Sequence, residues 1–221
     1  MKLPFTTDEF FKIFEKYNLA VWPMQYVSVI MAMIAIFLAV KKTSYSSGAI
    51  SLILSFLWLW MGAVYHLSFF ASINEAAYAF GGIFIFQGIL FLFPGFYPYQ
   101  LSFRFKKDIY GITGGIFMLF ALLVYPFIGY CLGHVYPLSP TFGLPCPTTI
   151  FTFGLMLWLD KKCPVYFLII PLLWSVLGST ASISLGVKED MALGVTGIIA
   201  FVMILYKNRK TAAISAGLSA G

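Results

Sequence analysis

Seven apolar segments, at about residues 20–40, 48–70, 77–97, 109–130, 147–160, 164–184 and 189–206, are joined by links too short to hold domains of their own. Several approach or exceed the roughly 18 residues that mark a helix able to cross a bilayer. Packing these runs into a water-soluble domain would leave no adequate polar surface, because 61% of the 221 residues are apolar and only 10% are charged. The expected fold is an all-α membrane protein in which residues 19–210 form one bundle of seven transmembrane helices.

Charge placement gives that bundle a direction. Lys41, Lys42, Arg104, Lys106, Lys107, Lys161, Lys162, Lys207, Arg209 and Lys210 follow the first, third, fifth and seventh segments. With Asp108 and Asp160 they give one side a net +8, while Lys2, Lys12, Lys16 and Lys188 against six acids leave the other at −2, which together return the +6 of the whole chain. Short-loop lysines and arginines stay cytoplasmic, so the amino terminus is expected outside and the carboxyl terminus inside. The basic excess is an orientation signal, and nucleic acid is not an expected partner. Trp22, Tyr26, Tyr65, Tyr78, Tyr130 and Tyr136 are expected in an outer aromatic belt, and Tyr97, Tyr99, Tyr110, Trp158 and Tyr206 in an inner one.

Residues 1–18 do not read as a removable signal peptide, so the first span is expected in the mature protein. Thr6 and Glu9 have capping-box spacing, and Phe10, Phe11, Ile13, Phe14 and Tyr17 fall on one helical face. An interfacial amphipathic helix is expected, its apolar face in the headgroup region and Asp8, Lys12, Glu15 and Lys16 in water. Residues 211–221 are small and polar, and are expected to form a flexible cytoplasmic tail.

Polar groups at membrane depth are costly and are the natural site candidates. His66 lies near the outer end of the second segment, and the following turn carries Asn74 and Glu75, so a common cavity is one reading. A histidine satisfied by a backbone carbonyl is the plainer one. Gln87 falls near the midplane, where its amide either holds helices together or lines a path. Gln25, just below Trp22 and Pro23, and Ser175, Ser179 and Thr180, around Trp174 in the segment expected to bend at Pro171, are further lining candidates. Small-residue pairs such as Gly111/Gly114 and Gly194/Gly197 point to close helix packing.

The stretch HVYPLSPTFGLPCPTTIFTFGLMLWLD, residues 134–160, is the most unusual. The 13 residues from Pro147 to Leu159 give about 20 Å of helix against a hydrocarbon core of about 30 Å. Asp160, Lys161 and Lys162 pin the inner end, so Ser139–Cys146 is expected to re-enter the membrane from outside. A helix amino terminus with exposed N–H groups and the Thr148 and Thr149 hydroxyls would then face a cavity and favour an anion or a carbonyl oxygen. Candidate ligand-binding residues are therefore His66, Asn74, Glu75, Gln87, His134, Thr141, Cys146, Thr148, Thr149 and Trp174.

Cys146 would cap that helix as a reactive thiol, pair with Cys131 in a disulfide, or join His66 and His134 around a soft metal, although the spacing matches no metal signature. No zinc-protease helix, nucleophile elbow or phosphate-binding glycine loop is present, and no retinal-type lysine lies between Met191 and Tyr206. No catalytic residue and no cofactor are indicated.

The strings YHLSFFASINEAAYAFGGIFIFQG and HVYPLSPTFGLPCPTTIFTFG, within a likeness that spans nearly the whole chain, resemble a bacterial membrane family catalogued as domain of unknown function 6064. That resemblance implies a multi-pass protein of the bacterial inner membrane and lends weak support to transport. The leading expectation is a permease-like protein that moves or binds a small solute or lipid through an outward-facing cavity. Two alternatives remain, a membrane-embedded enzyme or sensor using Cys146 with His66 or His134, and an assembly subunit of a membrane complex.

Overall fold

The computed structural model describes residues 4–96 and 101–218, with side chains as far as residue 211. Eight helices account for most of them. Helix α1 (Thr7–Ala20) begins with the capping box that the spacing predicts, Thr6 accepting from the Glu9 N–H at 3.3 Å and Glu9 from the Thr6 N–H at 2.8 Å. The axis bends by 82° into α2 (Met24–Val40). Helix α3 (Ser46–Ser72) changes from α to π geometry at Met61 and ends in a 3-10 turn, and α4 (Ala76–Phe96) follows.

Helix α5 (Ile109–Cys131) starts on Asp108, whose carboxylate accepts from the Gly111 N–H at 2.8 Å. Its π turn at Phe120–Val124 stands just before Pro126, whose missing N–H and bulky ring disturb the preceding turn. Helices α6 (Pro145–Leu157), α7 (Tyr166–Leu185) and α8 (Met191–Leu218) complete the chain. Gly186, at φ +73°, closes α7 in the left-handed conformation that glycine adopts without penalty.

Every expected segment is helical, and α3, α4, α5, α7 and the α8 span are long and apolar enough to cross a membrane. The bent α1–α2 pair makes a sixth candidate, and α6 is a shorter apolar helix. Phe37, Ile116, Leu123, Val176 and Ile198 are exposed on helix faces that water would not tolerate together, as expected of a helical membrane protein.

Helix α6 differs from the rest. All its residues are buried except the half-buried Cys146, and α5, α7 and α8 pack around it. Enclosure on every side explains how a 13-residue helix is tolerated, since its length need not match a surrounding solvent. The helix begins two residues earlier than expected, with Pro145 and Pro147 both in a first turn that needs no N–H donors.

The loops carrying the basic residues meet at one end of the bundle. Arg104 N–H donates to Trp158 O at 2.8 Å, Lys42 bonds Asp160 at 2.9 Å and Ser102, and Lys207 Nζ donates to Leu157 O at 2.9 Å and to Leu159 O. A cation on these carbonyls complements the negative end of α6. At Asp160, burial acts to raise the carboxyl pKa, but the Lys42 and Ser102 hydrogen bonds and the Lys42 and Lys106 charges outweigh it and hold it below the usual value. The contribution of this carboxylate is therefore present above the unfolded pKa near 4 and lost as pH falls through the lower folded value. Lys42→Met is expected to cost about 0.2–1 kcal/mol at pH 7, with the difference from wild type closing below about pH 4 in thermal unfolding scans. Cys163, next to this end, is no ordinary exposed thiol; burial pushes it up to about 12.

On the apolar face of α1, Ile13, Phe14 and Tyr17 are buried against α3, Leu144, Leu185 and Val187. Tyr65 and Trp158 are core residues rather than belt residues, the Trp158 indole donating to Gly111 O at 2.8 Å, whereas Trp22, Tyr26, Tyr78, Tyr130 and Tyr206 are exposed. Tyr97 and Tyr99 lie outside the described residues, as do the last three residues of the expected tail. Residues 211–218 continue α8; Ala212 and Ala213 are strong helix formers and no proline interrupts the run.

Candidate functional site

At the end opposite the basic loops lies a cavity of about 610 Å³. Phe10 and Phe14 of α1, Tyr65 and Phe70 of α3, and Phe80 of α4 form its aromatic walls. Leu144, Pro145, Cys146 and Pro147 bring the start of α6 to it, and Trp174 with the outer turns of α7 forms the remaining side. Val176, Leu177, Thr180 and Ser184 on its rim are exposed, on the same apolar flank as Leu173 and Ile183. The cavity thus opens sideways through the flank of the bundle.

Its polar groups converge at one point. Asp190, only 5% exposed, ends the 3-10 turn Lys188–Asp190 ahead of α8. It accepts from the Tyr125 hydroxyl of α5, and Cys146 lines the cavity with it. Trp174 Nε1 is buried with no hydrogen-bond partner. Gly178 leaves the space between them, since a Cβ there would stand 3.6 Å from Trp174 Nε1 and 3.7 Å from Cys146 Sγ. Among the described lining residues Asp190 alone is an acid, and none is Lys, Arg or His.

Beside Asp190, Glu189 is buried and its Oε1 lies 2.6 Å from His134 Nδ1, while Oε2 has no partner. His134 packs at a tilt against Phe11, ring centroids 4.5 Å apart, and lines a separate surface depression of about 390 Å³ with Asp8, Lys12 and Glu15. Glu189 and Asp190 therefore stand between the surface depression and the apolar cavity.

Of the ten sequence candidates, Asn74, Cys146 and Trp174 line the cavity. His66 is fully buried among Tyr65, Phe70, Phe80, Phe84 and Trp174 with both ring nitrogens unpartnered, so it is neither carbonyl-satisfied nor part of the lining. Glu75 is exposed at the start of α4 and does not face His66's aromatic enclosure. Gln87 Nε2 donates to Phe167 O at 3.3 Å, joining α4 to α7 as packing glue. Thr141 donates to Asn18 Oδ1 at 2.8 Å. Thr148 accepts from the Gly143 N–H at 3.1 Å, and Thr149 is buried without a partner; neither lines the cavity.

The anion reading of the α6 amino terminus fails for a covalent reason. Pro145 and Pro147 have no N–H, Thr148 N–H donates to Leu144 O, and the nearby charged group is an acid. Cys131 and Cys146 are free thiols, so the disulfide is not formed. Among the described residues no three His, Cys, Asp or Glu side chains gather to hold a metal, and His66, His134 and Cys146 lie on different contacts. Sequence reasoning missed Tyr65, Tyr125 and Asp190. Two adjacent acids in the short link between apolar segments were the available signal for Asp190, but they were counted only as loop charge.

Fold and cavity together define a polytopic all-helical protein with the character of a membrane protein. The chain belongs to the family of unknown function DUF6064, whose model matches residues 7–215. No curated protein and no solved structure matches the chain.

Proposed function

We propose a multi-pass protein of the bacterial inner membrane that takes a small lipophilic solute from the outer leaflet, in a permease-like binding role. In this reading α2, α3, α4, α5, α6, α7 and α8 make seven crossings, with α1 outside and the basic loops cytoplasmic. The irregular chain before Pro145 is the re-entrant link. It is tolerated at depth because Phe142, Gly143 and Leu144 are buried in protein.

The observation that carries the reading is the sideways opening of a cavity whose volume of about 610 Å³ suits a small molecule. A solute dissolved in the bilayer would enter between α1 and α7 without crossing water. Toward the basic end the path is closed by His66, Phe84 and Trp58, which makes this an outward-facing arrangement.

A long-chain alcohol bearing a diazirine tests it. Irradiated in membranes, the probe is expected to label peptides containing Phe10, Phe14 and Leu177, and Ala181→Trp, which fills the cavity at its lining, is expected to remove most of that labelling. Labelling confined to exposed faces such as Phe37 of α2, unchanged by the substitution, would overturn the reading.

A further inference from the structure

The chemistry at the closed end of the cavity specifies the solute further. We propose that it is a lipophilic cation, an alkyl or aryl ammonium whose charged head sits at Asp190 and whose tail lies among the phenylalanines. This rests on the proposed binding role.

Three features point to that class. Among the described residues the one acid lining the cavity is Asp190, and no Lys, Arg or His shares the lining with it. A carboxylate offers about four acceptor positions, of which the Tyr125 hydroxyl takes one. The rest of the acceptor capacity has no donor assigned to it on the protein. Second, the approach to Asp190 is walled by Phe10, Phe14, Tyr65, Phe70 and Trp174, and ring faces attract ammonium groups while remaining apolar enough for a hydrocarbon tail. Third, an anionic head would meet Asp190 at a helix terminus poor in donors, since Pro145 and Pro147 remove two N–H groups from the first turn of α6. The unpartnered Trp174 N–H is one neutral donor; by itself it would favour an acceptor head such as a carbonyl, and that is the alternative the test must separate.

The experiment is competition of the diazirine alcohol by dodecylamine, 1-dodecanol and dodecanoate on the full chain in a neutral detergent. Dodecylamine is expected to displace the probe at a concentration at least about tenfold below either rival, a factor equivalent to about 1.4 kcal/mol. Asp190→Asn is expected to erase that advantage and leave displacement by dodecanol unchanged. If the Asp190 variant fails to fold, the ranking of the three competitors on the wild-type chain still decides the proposal. If dodecanol competes as well as the amine, or dodecanoate better, the cation assignment is wrong while the cavity stands. If none of the three displaces the probe, the binding role falls with it.

Discussion

Asn18→Ala is expected to destabilise the protein by about 2–4 kcal/mol, a larger loss than a surface position at a helix end would cause. The side chain is fully buried where α1 breaks toward α2, and it ties three pieces of chain together. Its Nδ2 donates to Pro137 O at 2.7 Å and to Ser139 O at 2.8 Å, while Oδ1 accepts from Thr141 at 2.8 Å and Gln25 at 3.3 Å. Gln25 Nε2 also donates to the Asn18 carbonyl at 2.8 Å. Alanine would strand two carbonyls and the Thr141 hydroxyl, at about 1–3 kcal/mol for each group that water cannot reach. At roughly 2–4 °C per kcal/mol for a chain of this size, the unfolding midpoint in detergent should fall visibly. Asn18→Asp turns an oxygen toward the Pro137 and Ser139 carbonyls and buries a charge, so near neutral pH it should be at least as destabilising as alanine. A midpoint for Asn18→Ala within 1 °C of wild type would mean that the 137–141 loop is held by something else.

The contrast between Asn18 and the helices shows what the sequence could and could not say. Segment number, the Thr6–Glu9 cap and the shortness of the helix ending at Leu157 are local properties, written in hydropathy runs, prolines and spacing. Which face of each helix turns inward is not local. The helices that follow α1 are apolar nearly all round, so periodicity says little about their orientation, and the few polar groups are paired across 80 residues for Gln87 and more than 100 for Asn18. The amphipathic face of α1 was legible, but the sequence could not tell whether lipid or protein would cover it. His66 and Asp190 failed in opposite directions for the same reason. The histidine at a span edge was enclosed by aromatics, and the acid counted as a loop charge was folded inward beneath α5 and α6. Depth along a helix was readable, but rotation about its axis was not.

That limit applies equally to the glycines, where identical residues differ by whether a neighbour's backbone is present. Gly154→Leu is expected to prevent recovery of folded protein, or to cost more than about 3 kcal/mol where it folds, at the severe end of overpacking. A Cβ at Gly154 would stand 2.6 Å from Met118 Cγ and 2.7 Å from Gly114 O, and one at Gly114 would stand 2.6 Å from Gly154 O. Helices α5 and α6 thus touch backbone to backbone, and a side chain cannot be accommodated by rotating another side chain away. Nor can α6 retreat, because it is enclosed on every side. A shift would pull Thr152 from the Trp58 indole, bonded at 3.1 Å, and Trp158 from Gly111 O, bonded at 2.8 Å. Gly82 of α4 supplies the control, since nothing lies within 4 Å of its built Cβ. Gly82→Ala should be neutral or stabilising by up to about 1 kcal/mol through helix propensity alone. Size-exclusion profiles and thermal unfolding of the two variants in the same detergent measure the difference directly. Comparable yield and midpoint for Gly154→Leu and Gly82→Ala would mean that α6 has room to move, and with it would go the argument that enclosure permits a helix this short.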